Sequence, residues 1–406
     1  MAQAKSAGAL VDPAFESSVV AKLRSVLGDS SAMTPLHAPE FSGNEWELVK
    51  DCLDSGWVSS VGTYVDRFER EIAALSGAEF GIAVVNGTAA LHVALIVAGV
   101  QPDDEVIVPT LTFVATANAV RHAGAVPHFV DSSPETLGMD PAALAQHLST
   151  IAERKDGRVI NRDTGRPIAA VVPMHTFGHP VDMDPLLALA DEWRLPVVED
   201  ATESLGSHYK GRPCGGLGAV GTLSFNGNKI LTTGGGGAIV TNDPEIARRA
   251  KHLTTTAKTP HRWAFLHDEV AYNYRMPNIN AALGCAQLSQ LGERIARKRH
   301  LARQYIEAFD GIDGISAFRE PSYARSNYWL NTLLLDTIMI DHRDPLLAAL
   351  NDANLMCRPV WTLMHRLEMF ADCPRAPLKV AENLESRIIN VPSSAALGTS
   401  GEGVTA

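Results

Sequence analysis

The chain has 406 residues, 46% of them hydrophobic and 20% charged, enough for one large domain and a smaller one around ordinary apolar cores. Its net charge of −11 argues against a broad nucleic-acid or anionic-membrane surface and leaves small molecules as expected partners, with room for a local basic pocket. The opening MAQAKSAGAL has no basic and then apolar leader, and no later apolar run reaches membrane-spanning length. Five scattered cysteines without a C-x-x-C pair suggest neither a disulfide framework nor a zinc site, so a cytoplasmic protein without a metal centre is expected.

Residues 13–28 carry apolar positions at helical spacing and lead into an extended LHAPEF segment. From about residue 65 helices and strands alternate: helix 65–76, strand FGIAVV (80–85), helix 88–99, strand EVIVP (105–109), helix 114–123 and strand VPHFVD (126–131). Continuous Val/Ile strands between helices predict a parallel sheet covered on both faces. The stretch 132–168 reads as a helix followed by a polar excursion, ERKDGRVINRDTGRP. Strands resume at 169–175 and 196–200, with helix 184–193 between them, and GTLSF (221–225) and AIVTND (238–243) are expected to pair around a single lysine. Helices fill 244–258 and 278–310. A smaller α/β unit follows, with a strand in NYWLNTLLLD (327–336), a helix over 343–353, RPVW (358–361), and a mobile tail after residue 393. The expected division is an N-terminal helix and lead-in (1–34), a large domain (35–285) and a small C-terminal domain (286–406).

Four motifs carry chemistry. In VVNGTAALHVAL (84–95) a strand runs through Gly87, Thr88 and Ala89 into a helix, aiming N–H groups and a hydroxyl at an anion, although Thr88 could equally be a plain cap. PTLTFVATAN places Phe113 just past a strand end, where an aromatic can stack on a planar ring or simply belong to the core. VVEDATESLGS ends an apolar strand in Glu199 and Asp200, with Glu203 one turn later; carboxylates there need a positive or hydrogen-bonding partner, such as a protonated ring nitrogen. SFNGNKILTTGGGG sets Lys229 before four glycines, the reverse of a phosphate loop, which suits an amine that meets a carbonyl. The glycines Gly234 to Gly237 either clear a wall beside that amine or form a plain turn.

An anion cup, a stacking aromatic, an acid for a ring nitrogen and a lysine for an aldehyde form the kit for pyridoxal phosphate. From about residue 35 to 395 the chain resembles the DegT/DnrJ/EryC1/StrS family of sugar-nucleotide aminotransferases. The resemblance implies a fold type I, pyridoxal 5′-phosphate-dependent enzyme with a mostly parallel seven-stranded sheet, working as a homodimer with shared active sites. It implies that Lys229 bonds to the cofactor and Asp200 pairs with its pyridine nitrogen. Phe113 would lie over the ring, and Glu203 near the ring hydroxyl. Gly87, Thr88, Ala89 and Ser224 would hold the phosphate, with Asn273 reaching the partner's phosphate and Tyr274 and Arg275 shaping the interface.

GWVSSVG (56–62), HTFGHP (175–180), SFNGNK (224–229), HLTTTAK (252–258), SNYWLN (326–331) and RPVW (358–361) resemble the branch that aminates C4 of UDP-4-keto-6-deoxy-N-acetylglucosamine with L-glutamate as donor, as in bacillosamine and legionaminic acid pathways. The substrate pocket expected on that basis holds Trp57, Ser59, Ser60, His175, Lys258, Arg262, Asn327 and Tyr328. Alternatives are a fold type I lyase, a transaminase for a dTDP- or GDP-linked keto-sugar, and a non-catalytic regulatory protein that binds the cofactor. The regulatory reading needs a fused DNA-binding module, for which one N-terminal helix leaves little room.

Overall fold

The structure is a computed structural model that describes residues 13–398. The large domain is built on seven strands: β1 (Phe80–Val84), β2 (Glu105–Pro109), β3 (Val126–Val130), β4 (Pro167–Val171), β5 (Val198–Asp200), β6 (Val220–Ser224) and β7 (Gly237–Thr241). Parallel pairing joins β3 to β2, β2 to β4 and β5 to β6, while β7 runs antiparallel between β6 and β1. Parallel bridges Val171–Val197 and Met174–Asp200 close the gap between β4 and β5. The order is therefore β3-β2-β4-β5-β6-β7-β1, with the expected pair β6 and β7 flanking Lys229.

All ten residues of β3 (VPHFV) and β7 (GAIVT) are buried, because helices cover both faces of the sheet. The chain enters through α1 (Pro13–Leu27), α2 (Glu45–Ser55) and α3 (Thr63–Leu75), then crosses the sheet by α4 (Gly87–Val97), α5 (Val114–His122), α6 (Pro141–Ile151), α7 (Met183–Trp193) and α8 (Pro244–Thr254). The central α4, GTAALHVALIV, is apolar nearly all round and is enclosed by core residues on both flanks. Val65, Phe68 and Ile72 of α3 fall on one helical face and pack on Leu223, Phe225 and Ala238.

Three local differences from the sequence reading have physical reasons. Helix α2 was not expected, because Trp46 and Leu53 face outward and its inward side holds Glu45 and Cys52, which blurs the apolar period. The polar excursion forms a two-stranded hairpin, Ala152–Lys155 with Arg158–Asn161, around an Asp156-Gly157 turn with both residues at positive φ. The segment 393–398 is not a loose tail: Ala395–Gly398 forms a short helical turn in which both end residues are buried, and a Cβ on Gly398 would stand 2.0 Å from the Arg297 carbonyl oxygen. Residues 399–406 of the expected tail lie outside the described residues.

After α9 (Asn278–Leu288) and α10 (Leu291–Ala308), a second antiparallel sheet pairs 315–317, 331–335, 388–391 and 358–359 in that order. The helix α11 (Arg343–Asp352) covers it. Val19 and Leu23 of α1 share its core with Leu301, Tyr305 and Leu346, so the N-terminal helix packs with the C-terminal unit.

Candidate active site

All the expected large-domain motifs converge at the carboxyl edge of the sheet, around a cleft of about 210 Å³. At the end of β1, Asn86 caps α4 by accepting the Ala89 N–H at 2.8 Å. Helix geometry leaves the Gly87 and Thr88 N–H groups without an intrahelical acceptor, and both residues line the cleft with Ser224. Ala89 itself is buried beneath this turn. A Cβ at 87 would press on the Ser224 and Thr202 side chains at 3.0–3.2 Å, which would have to give by a few tenths of an ångström. A Cβ on Gly237 would lie 2.5 Å from the Asn86 carbonyl. The glycine run thus lets β7 approach the anion cup; none of Gly234 to Gly237 lines the cleft.

The acids of VVEDATE separate by alternation along β5. Glu199 points away and accepts the N–H groups of Leu217 at 2.8 Å and Gly218 at 3.2 Å, together with His175 Nε2 at 2.8 Å. Asp200, 1% exposed, faces the cleft. Its Oδ2 accepts the Thr116 hydroxyl at 2.7 Å, and Oδ1 accepts the Thr202 hydroxyl at 2.6 Å. Among the described residues no lysine, arginine or histidine pairs with this carboxylate, which is therefore free to meet a cation brought by a ligand. Glu203 accepts the Phe177 N–H at 2.9 Å and lies 3.2 Å from Lys229 Nζ. Burial pushes the Glu203 carboxyl up to about 7, with Asp200 adding to the rise and Lys229 and the Phe177 N–H opposing it.

Lys229 follows β6 and is 11% exposed on its side chain. Its Nζ stands 3.9 Å from the centroid of the Trp329 ring, a cation–π distance, and Trp329 is fixed by its indole N–H donating to the Asn228 carbonyl at 2.7 Å. Phe113 lies at the mouth, 46% exposed, with its ring edge toward Trp361 at 6.0 Å.

Several expected substrate residues lie elsewhere. His175 is fully buried: the Val181 N–H donates to Nδ1 at 3.1 Å, so that nitrogen carries no proton and the neutral ring donates from Nε2 to Glu199. With Cys214 these two side chains gather within 4.8 Å, yet their lone pairs are occupied by protein N–H donors. Asn327 is a buried brace, its Nδ2 donating to the carbonyls of Glu203 at 2.9 Å and Leu205 at 3.0 Å. Tyr328 is also buried, its hydroxyl accepting the Glu320 N–H at 3.1 Å. The neighbouring Trp329, together with Trp361, Thr116, Thr202, Asn226 and Asn228, lines the cleft instead. Trp329 and Trp361 sit inside motifs legible in the sequence, but nothing there says which side chain of each motif faces inward.

Trp57, Ser59, Lys258, Arg262 and Asn273 are exposed, Ser60 is partly so, and none lines this cleft. The 56–62 loop is nevertheless held firmly, because Asn278 donates from Nδ2 to the Trp57 carbonyl and from its backbone to the Ser59 carbonyl. Lys258 and Arg262 belong to a short hairpin, with their cationic ends over Phe265 at 4.3 Å and Trp263 at 5.3 Å.

A lysine, two carboxylates and an anion cup at the carboxyl edge of this sheet define a pyridoxal phosphate-dependent aminotransferase of fold type I. The chain belongs to the DegT/DnrJ/EryC1/StrS aminotransferase family, whose model matches residues 39–403. Its relatives include a GDP-perosamine synthase from Escherichia coli O157:H7, 38% identical over 88% of this chain and 93% of the relative. Another is a putative pyridoxal phosphate-dependent aminotransferase, EpsN, from Bacillus subtilis, 37% identical over 82% of this chain and 83% of that one. Among solved structures it resembles the aminotransferase TlmJ from Streptoalloteichus hindustanus at a TM-score of 0.81 and 28% identity, covering 90% of this chain and 94% of the other. DesI in the presence of its TDP-sugar product matches at a TM-score of 0.79 and 28% identity, over 93% and 92% of the two chains. The protein is thus a pyridoxal phosphate-dependent sugar-nucleotide aminotransferase. Among its described residues no helix is long and apolar enough to cross a membrane.

Proposed function

We propose that the protein moves an amino group from L-glutamate to the keto carbon of a GDP-linked hexulose, forming a GDP-linked amino sugar. The observation that carries the nucleotide is the group of relatives named GDP-perosamine synthase, which include a second from Caulobacter vibrioides at 36% identity over 89% of this chain. The UDP-linked N-acetylhexosamine expected from the shorter motifs gives way to this reading. The motifs that suggested it are partly structural here, His175 and Asn327 being braces beneath the cleft.

The residues present fit pyridoxal 5′-phosphate. The Gly87 and Thr88 N–H groups with the Thr88 and Ser224 hydroxyls would hold the phosphate. Asp200, held by hydroxyl donors and unpaired with any cation among the described residues, would hold a protonated pyridine nitrogen, and Phe113 would flank the ring. When bound, the cofactor supplies an electron sink and a carbon that carries the amino group from donor to acceptor. Lys229, the catalytic amine, would anchor it covalently and would take a proton from the donor's Cα and return one to the acceptor carbon. Glu203 and Trp329 keep that amine over the cleft between transfers.

The complete site is a homodimer in this reading. Trp46, Leu53, Trp57, Val58 and Val61 from one stretch and Trp263, Phe265, Leu266 and Val270 from another are exposed large apolar side chains, which supports an interface there. Asn273 follows the second stretch and reaches the partner's phosphate cup, while Trp57, Ser59, Ser60, Lys258 and Arg262 contribute to the substrate pocket through the assembly. The test is a panel of GDP-, UDP- and dTDP-linked keto-sugars with L-glutamate, reading 2-oxoglutarate formation. A clear preference for the GDP-linked sugar is expected; preference for the UDP-linked sugar, or equal feeble rates on all, overturns the substrate assignment.

A further inference from the structure

One buried amine has no part in the site described above. Lys298 lies on α10 and is 0% exposed, although a lysine amine is among the costliest groups to take out of water. Among the described residues no carboxylate pairs with it, and burial holds the amine well below its ordinary value. Its Nζ donates to two backbone carbonyls instead, those of Trp329 at 3.0 Å and of Ser393. An apolar side chain would fill the same space without the desolvation cost, so what the amine adds is this pair of contacts.

The contact with Trp329 stands one residue away from the catalytic lysine. Trp329 donates its backbone N–H to Asn327 Oδ1 at 2.8 Å and its indole N–H to the Asn228 carbonyl at 2.7 Å, and its ring lies 3.9 Å from Lys229 Nζ. The preceding Tyr328 sits at φ 48°, a left-handed backbone that a bulky side chain keeps only while its surroundings hold it. Lys298 supplies part of that hold by tying the Trp329 carbonyl to α10. Packing does not pin Lys229 from behind, because there it borders a small cavity of about 10 Å³ with His37, Thr232 and Lys298. Nor does His37 hold it, since both ring nitrogens are enclosed and without a hydrogen-bond partner among the described residues. The contacts that place Nζ are Glu203 at 3.2 Å and the Trp329 face.

We propose that Lys298 is a positioning residue for the transamination: by fixing the Trp329 carbonyl it holds the indole face against the Lys229 amine, and so sets where that amine stands at the cleft. Without the Lys298 amine the strained Tyr328 turn relaxes and Trp329 moves with it. The Lys229 amine then spends less time where it can attack, which slows bond formation to the cofactor without loosening the phosphate cup. The inference rests on the proposed role of Lys229 as the covalent handle.

The experiment follows growth of the lysine-bound cofactor band in cofactor-free protein over a range of pyridoxal phosphate concentrations, so that the plateau rate and the half-saturating concentration are read separately. Lys298→Met keeps the volume and removes the donor. Lys298→Gln, one bond shorter and still polar, carries the test should the methionine variant not fold. Trp329→Leu is made alone and in combination. The plateau rate should fall about tenfold in the Lys298 variant, with the half-saturating concentration within about twofold of wild type. Trp329→Leu should fall as far, and adding the Lys298 substitution to it should lower the rate no further, because the buried amine acts through the indole. An unchanged plateau rate in the Lys298 variant that folds, or losses that multiply in the double variant, overturns the inference and leaves Lys298 a brace. Absence of the band in wild type is instead a failure of the Lys229 reading, and removes this inference with it.

Discussion

Replacing Glu203 by glutamine removes a carboxyl that the fold holds against its solution preference. Buried beside Asp200, it is pushed up from 4.5 to about 7 despite the Lys229 amine 3.2 Å away. At about 1.4 kcal/mol per pH unit, that displacement corresponds to roughly 3 kcal/mol of folding free energy. A carboxyl whose folded-state value is raised contributes stability that is complete below its unfolded value and lost as the pH rises through the folded value. Wild type should therefore lose this amount between about pH 4.5 and pH 8, whereas Glu203→Gln should not. Glutamine can still accept the Phe177 N–H, so the local frame survives. The assay is urea unfolding of both proteins without cofactor, at equal concentration, across that range, so that ligand binding adds nothing to either curve. The difference in stability, variant minus wild type, should grow by roughly 3 kcal/mol toward high pH. A difference that is flat or shrinks with pH would show that Glu203 is ionised throughout and refute the burial argument.

Asn327→Ala leaves the buried carbonyls of Glu203 and Leu205 without their donor. It should cost about 1–3 kcal/mol in unfolding while the KM for the nucleotide sugar stays near wild type; a raised KM with unchanged stability would restore Asn327 to the substrate pocket. Gly237→Ala forces a methyl to within 2.5 Å of the Asn86 carbonyl, so the anion cup must shift. Pyridoxal phosphate affinity should fall about tenfold or more by equilibrium dialysis, equivalent to about 1.4 kcal/mol; unchanged affinity would contradict that role. Val270, 91% exposed in a single chain, sits in the proposed interface. Val270→Asp should yield a sedimenting monomer with little activity, and an intact active dimer would move the interface elsewhere.

The parts of this site legible in the sequence are those whose local pattern and final position agree. Asp200 ends an apolar strand, and Gly87 and Thr88 open a helix directly after another, so the carboxyl edge of the sheet places them without further information. Lys229 is framed by two strands that pair as expected. The less legible parts depend on the direction of single side chains in irregular loops. In SNYWLN, Tyr328 takes φ 48° and turns into the core, and that turn leaves Trp329 at the lysine while the polar Asn327 braces the backbone. His175 follows the same rule: a polar residue in a motif is as often satisfying buried N–H and carboxylate groups as awaiting a substrate. Lys258, Arg262 and Asn273 lie on an exposed surface, and the role proposed for them there rests on the proposed homodimer, which no local pattern describes.

The claim beneath all of this is that Lys229 is the covalent handle for the cofactor. Its most direct test is the visible absorption spectrum of purified wild type and Lys229→Ala, each with pyridoxal phosphate, before and after L-glutamate. The account predicts a lysine-bound cofactor band in wild type that glutamate bleaches, and no such band in the variant. The same band in Lys229→Ala, or no cofactor binding by wild type, would contradict it.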